Sequence, residues 1–148
     1  MASRSYLSGP DFDGTLAFAQ DLIRIPSLPG HEEEVAARVR DELTRLGFDD
    51  IVVDEVGNVI GVVRGTAGGP RVMLSSHLDV VAAGDAETWE HPPFAGAVAD
   101  GFLHGRGAMD IKGPLAIQTH AAAAVRGRAL GDVIVAHTVL EERGGLGM

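Results

Sequence analysis

Two apolar stripes of helical period open the chain. In FDGTLAFAQDLIRIP, Leu16, Ala19, Leu22 and Ile23 recur at three- and four-residue intervals and share one face, and Pro26 ends the pattern. In PGHEEEVAARVRDELTRLGF, Val35, Val39, Leu43 and Leu46 recur in the same way. Acids fill the first turn, where the helix dipole favours them, and Gly47 stands where a C-cap is needed. Two amphipathic helices are predicted, with the acidic run Glu32 to Glu34 read as a solvated first turn.

From residue 50 the period shortens. DIVVDEVGNVIGVVRG gives two β runs around Gly57-Asn58, a dipeptide suited to a tight hairpin turn. PRVMLSSHLDV is a short apolar strand that ends in polar residues. Residues 82–108 are rich in Gly, Pro, Asp and His and poor in periodicity, which predicts one long loop with a short strand near Phe102; a loop of that length in a compact domain is often functional. IKGPLAIQTHAAAAVRGRA predicts a helix after Gly113 and Pro114, and GDVIVAHTVLEE a buried strand. Strands alternating with helices indicate an α/β class, with a mixed, largely parallel sheet flanked by helices. Residues 1–11 are predicted to be a disordered leader, and residues 12–148 to hold the folded part.

Composition narrows the function classes. Twenty-one acids against 12 bases give a formal net charge of −9, a field that repels phosphate backbones and anionic lipid heads. The only lysine is Lys112, and the arginines are scattered, so no face for a polyanion emerges and neither nucleic acid nor membrane is an expected partner. With no cysteine, any metal must take His, Asp or Glu. The start MASRSYLSGP lacks the apolar segment of a signal peptide, and no apolar run approaches the roughly 20 residues of a membrane span, so a soluble, cytoplasmic protein is expected.

Three polar clusters carry candidate chemistry. In SSHLDVV, His77 and Asp79 lie at the carboxyl end of a predicted strand, where open α/β sheets place ligands. One ring nitrogen of His77 can bind a metal while the Asp79 carboxylate accepts the other N–H. A surface histidine beside a loop aspartate has the same local pattern. In GRGAMDIKG, Gly105 and Gly107 let the backbone bend ahead of Asp110, whose two oxygens can bridge two cations or, alternatively, cap the following helix. The spacing fits neither GxGxxG nor GxxxxGK[ST], which argues against a phosphate cradle. In VLEERGGLG, Glu141 and Glu142 follow a strand, and alternation along an extended backbone predicts that they point apart, one to a metal and one to the water on it. Taken alone the pair is also what a solvated turn looks like. Taken together, His, Asp and Glu without Cys at strand ends are the donor set of a hydrolytic two-metal site.

In this order and at these intervals, SSHLDVV, WEHPPFAG, GRGAMDIKG and EERGGLG resemble the dinuclear zinc peptidases and deacylases of the M20 family. That family includes acetylornithine deacetylase, succinyl-diaminopimelate desuccinylase, aminoacylases and carboxypeptidase G2. LIRIPSLPGHEEEVA and GNVIG also fit, most like its ArgE/DapE-type or YgeY-like branch. The resemblance implies an incomplete zinc-peptidase-like catalytic domain, with His77 and Glu142 as terminal ligands of two zinc ions and Asp110 as the carboxylate bridging both. It makes Glu141 the general base and Asp79 the partner of His77, and it implies a cis peptide at Asp110-Ile111. Cobalt or manganese also suits such donors. The implied substrate is an N-acyl amino acid or a small peptide.

Family members run further, adding one more acidic ligand, a late histidine ligand and a lid domain that usually dimerises. Residues 12–148 are therefore expected to be the N-terminal part of the catalytic domain, with homodimerisation confined to the full-length form. The competing expectation is a truncated, non-catalytic fragment or a metal-binding module of the same fold. Intact His77, Asp79, Asp110, Glu141 and Glu142 argue against decay. His137 is expected to be a packed core histidine, and His31, His91, His104 and His120 surface or loop residues. Trp89, Pro92, Pro93 and Phe94 are expected to pack the long loop.

Overall fold

The computed structural model describes residues 11–145 and 147, so the predicted leader lies outside the described residues except for Asp11. Asp11 caps the first helix, α1 (Phe12–Arg24), by accepting the Gly14 N–H. The helix ends one residue before the extended Ile25, as the following Pro26 dictates. Its buried stripe is Phe18, Ala19, Leu22 and Ile23, whereas Leu16 is half exposed, so the apolar face is rotated from the one predicted. Helix α2 (Glu33–Leu46) buries Val35, Val39 and Leu43 and stops at Gly47, whose φ of 76° is the left-handed cap conformation that glycine adopts without cost.

The first two strands, β1 (Asp50–Val53) and β2 (Val59–Val63), form the expected hairpin. The turn is wider than the tight dipeptide turn predicted. The Asp54 carboxylate accepts the N–H groups of Val56, Gly57 and Asn58 and the Asn58 side-chain amide. Burial pushes the Asp54 carboxyl up, and those bonds outweigh it, leaving the pKa below the usual carboxylate value.

Strand β3 (Val72–His77) follows, then the long segment, which holds a single 3-10 turn (Ala86–Thr88) and a small hairpin of β4 (Ala97–Ala99) with β5 (Phe102–His104) where one short strand was expected. Trp89 packs inside this segment, its indole N–H on the Ala83 carbonyl and the Arg106 guanidinium 5.0 Å from its ring centre. An irregular turn (Ala108–Lys112) leads into α3 (Gly113–Ala124), and β6 (Val133–Thr138) completes the main sheet.

The sheet order is β1-β2-β6-β3, an α/β layer that is mixed as expected. Its parallel share is smaller than predicted, because only β3 and β6 run parallel while β1/β2 and β2/β6 are antiparallel. The core joins the three helices to one sheet face through Phe18, Leu22, Val39, Leu43, Leu115 and Val135. Two sequence expectations fail inside it. His120, on α3, is buried against Glu42 of α2 rather than exposed. Glu32 is 5% exposed, with its carboxylate turned inward rather than solvated. Among the described residues no helix is long and apolar enough to cross a membrane.

Candidate metal centre

Strand register brings the first and third clusters together. In the parallel β3/β6 pair, His77 lies opposite Thr138, so the chain leaves both strands at the same edge and Asp79 arrives beside Glu141 and Glu142. The second cluster reaches that edge through the turn before α3, which packs on both strands. The turn is compact because Gly105 (φ 152°) and Gly107 (φ 81°) carry no side chain. A Cβ on Gly105 would meet Ile23 Cγ2 at 2.4 Å, and one on Gly107 would meet Val80 Cγ1 at 2.7 Å. The Asp110-Ile111 peptide is cis.

His77, Asp110 and Glu142 each offer a donor atom, and these atoms lie within 4.8 Å of one another. Among the described residues this is the only such group of three His, Asp or Glu donors. His77 is buried, and its Nδ1 donates to the main-chain carbonyl of Asp79 at 2.9 Å. A carbonyl only accepts, so a neutral ring must keep its lone pair on Nε2. That nitrogen faces Asp110 Oδ1 at 3.2 Å and Glu141 Oε2 at 3.8 Å. Acceptors placed this closely favour a cation between them, a proton or a metal ion, and an imidazole nitrogen with carboxylate oxygens is a donor set that divalent zinc takes. The residues fit a metal.

Asp79 works differently from the expected carboxylate–imidazole partnership. Its carbonyl, not its carboxylate, takes the His77 N–H, and Oδ1 lies 3.5 Å from Nδ1. The carboxylate, 0% exposed, instead accepts the N–H of Glu141 on Oδ1 at 3.1 Å and of Glu142 on Oδ2 at 2.9 Å. The acidic pair is also not extended. Leu140 adopts φ 57°, and Glu141 and Glu142 stand in a turn, so strand alternation does not set their directions. Burial pushes the Glu142 carboxyl up, and the charges of Asp110, Glu141 and Asp79 add to that while His77 opposes it. Concentrated negative charge of this kind is what a bound cation relieves.

The sequence profile of peptidase family M20/M25/M40 matches residues 73–148, the stretch that holds all five of these residues. The chain belongs to that family. Among M20 relatives, the uncharacterized protein YgeY of Escherichia coli K12 is 33% identical over 129 residues, covering 84% of this chain and 31% of its own length. A succinyl-diaminopimelate desuccinylase of Methylorubrum extorquens is 45% identical over 108 residues, covering 68% of this chain and 28% of its own. The chain thus spans about a third or less of the curated relatives it matches. Its fold matches an M20 family metallo-carboxypeptidase of Sulfolobus solfataricus with a TM-score of 0.77 at 18% identity, over 88% of this chain and 33% of that one.

One further histidine and the single lysine are buried near the candidate centre. His137, 0% exposed on β6, is held between Ser76 Oγ at 2.7 Å and Thr119 Oγ1 at 3.1 Å, and burial pushes its pKa down to about 3. It is a neutral core group. Lys112 is a residue that the periodicity reading passed over. Fully buried, it donates through Nζ to the Leu22 and Ile25 carbonyls at 2.8 and 2.6 Å, and burial pushes its pKa down to about 8. The available signal was its being the chain's single lysine, set two residues after Asp110.

Proposed function

We propose that this chain carries the core of a metal-dependent hydrolase that cleaves the amide bond of an N-acyl amino acid or small peptide. The supporting observation is the convergence of His77, Asp110 and Glu142 donors within 4.8 Å, with the Glu141 carboxylate 3.8 Å from His77 Nε2. His77 and Glu142 would each hold one of two zinc ions, and Asp110 would bridge them. When bound, such a pair polarises a carbonyl oxygen and lowers the pKa of water.

The chain's own groups supply the rest. Glu141 takes the proton of the attacking water on a carboxylate oxygen and returns it to the leaving nitrogen. Its side chain is 37% exposed and that of Asp110 is 74% exposed, so substrate reaches both. Asp79 fixes the Glu141-Glu142 backbone, and through its carbonyl it fixes the tautomer of His77. That a relative 45% identical over 108 residues is a succinyl-diaminopimelate desuccinylase supports the substrate class: a small molecule with an acylated nitrogen.

Glu141→Ala is expected to lower turnover of an N-acyl amino acid by about 10²- to 10⁴-fold while metal content, measured by elemental analysis, stays as in the parent. A Glu141→Ala protein that still turns over excludes the proton-transfer role.

A further inference from the structure

The connector between α1 and α2, Ile25 to Glu32, touches all three ligand-bearing segments. Ser27, fully buried, donates from Oγ to the Leu78 carbonyl and accepts the Val80 N–H on its own carbonyl, both at 2.8 Å, so it brackets Asp79. Lys112 reaches back to the Ile25 carbonyl from the segment of Asp110. Glu32 makes the third link. Its Oε2 accepts the N–H of Gly30 at 2.8 Å, and its Oε1 crosses to the N–H of Leu140 at 3.0 Å.

Leu140 is the left-handed residue immediately before Glu141. With the two bonds to Asp79, three successive N–H groups, of residues 140, 141 and 142, are each taken by an oxygen of a buried carboxylate. A buried carboxylate is costly unless its oxygens are bonded. No Lys or Arg is salt-bridged to Glu32 among the described residues, and its side chain does not cap α2. Backbone N–H groups are what compensate its burial, and they lie on the segment that aims the acidic pair.

We propose that Glu32 is a positioning residue of the metal centre: by holding the Leu140 N–H it fixes the turn from which Glu141 and Glu142 project. This rests on the metal-centre reading given above. The test uses the whole 148-residue chain, with Zn²⁺ titrated against a competing chelator and amide exchange followed at residues 140–142 relative to β6. The isosteric Glu32→Gln, which keeps one acceptor oxygen, guards against a Glu32→Ala that fails to fold.

The expected result is a Zn²⁺ affinity about 10- to 100-fold weaker in Glu32→Ala, a smaller loss in Glu32→Gln, and faster exchange at Leu140 in both while β6 keeps its protection. Parent-like affinity with unchanged Leu140 exchange overturns the proposal. So does a loss of stability spread evenly over β6 and Leu140. If the parent chain takes up no Zn²⁺, the metal-centre reading fails by itself, and the Leu140 exchange of Glu32→Gln still decides the positioning role.

Discussion

Glu42 and Asp79 are both carboxylates removed from water, and two regions of the molecule satisfy them in opposite ways. Between α2 and α3, Glu42 gathers side chains: Arg38 Nη1 at 2.9 Å, Arg45 Nε at 3.3 Å and His120 Nε2 at 3.0 Å. Burial pushes its carboxyl up, but the bonds and charges of Arg45 and Arg38 outweigh that and leave its pKa below the usual value. At the sheet edge, Asp79 gathers backbone N–H groups from residues 141 and 142. Flexible cations adjust when a neighbour moves. Backbone groups do not, so the second arrangement transmits geometry to whatever the same residues carry. The first stabilises a helix pair, and the second holds a site.

Breaking Asp79 should therefore have the largest effect. Asp79→Ala leaves two partly buried N–H groups without their acceptor, at up to about 1–3 kcal/mol each. A fall in unfolding free energy on the order of 3 kcal/mol is expected by denaturant titration, together with about 10- to 100-fold weaker Zn²⁺ binding. Glu42→Ala comes second. It also deletes a buried partner, but Arg38 and Arg45 are partly exposed and can rehydrate, so the cost should be about 2 kcal/mol rather than the 3–5 of a fully enclosed pair. Zn²⁺ affinity should stay at the parent level. Equal losses of affinity in the two variants would mean that both carboxylates support the site alike.

The sequence made the donors legible but not their supports. His77 and Asp110 could be read as candidates because a strand end and a glycine-rich turn are local patterns, whereas the choice of Glu142 over Glu141 came from the family resemblance. A parallel register between two strongly apolar runs brings the three together. The expected Asp79 bond to His77 failed because a two-residue spacing does not say whether the carboxylate or the carbonyl turns to the ring. Glu32 and Leu140 are 108 positions apart, and Glu42 and His120 78 apart, so neither contact leaves a periodic trace. A charged residue on a helix reads as solvated until its distant partner is known. The half-exposed Leu16 shows the same limit in an apolar stripe, since Phe18 took the inward place and rotated the face.

His137 sits between the two regions, bonded to Ser76 on β3 and Thr119 on α3, and gives the next largest effect. The unfolded imidazole takes a proton near its ordinary 6.5, the folded one only near about 3. Between those values the unfolded state holds the extra proton, so stability falls as pH falls, by about 1.4 kcal/mol per pH unit from this group. Above pH 6.5 its contribution is complete and level. Denaturant midpoints of the parent and His137→Gln, followed from pH 7.5 to 5, should diverge in slope below 6.5, with the variant the flatter. Parallel curves would mean that the folded ring titrates normally and that burial does not keep it neutral.

The smallest effect tests whether the cation cluster is as adaptable as the comparison requires. Arg45 reaches Glu42 from the last turn of α2, but its side chain is 55% exposed, and Arg38 and His120 remain on the same carboxylate when it is removed. Arg45→Ala should thus cost only about 0.5 kcal/mol, in the range of solvent-screened pairs, and that small loss should shrink further in high salt. A double-mutant cycle of Arg45→Ala with Glu42→Ala measures the coupling directly. A coupling of several kcal/mol would show that Glu42 depends on one rigidly placed partner, as Asp79 depends on its backbone groups. A coupling below about 1 kcal/mol leaves the load shared among three donors, and the site edge as the place where one carboxylate cannot be relieved by its neighbours.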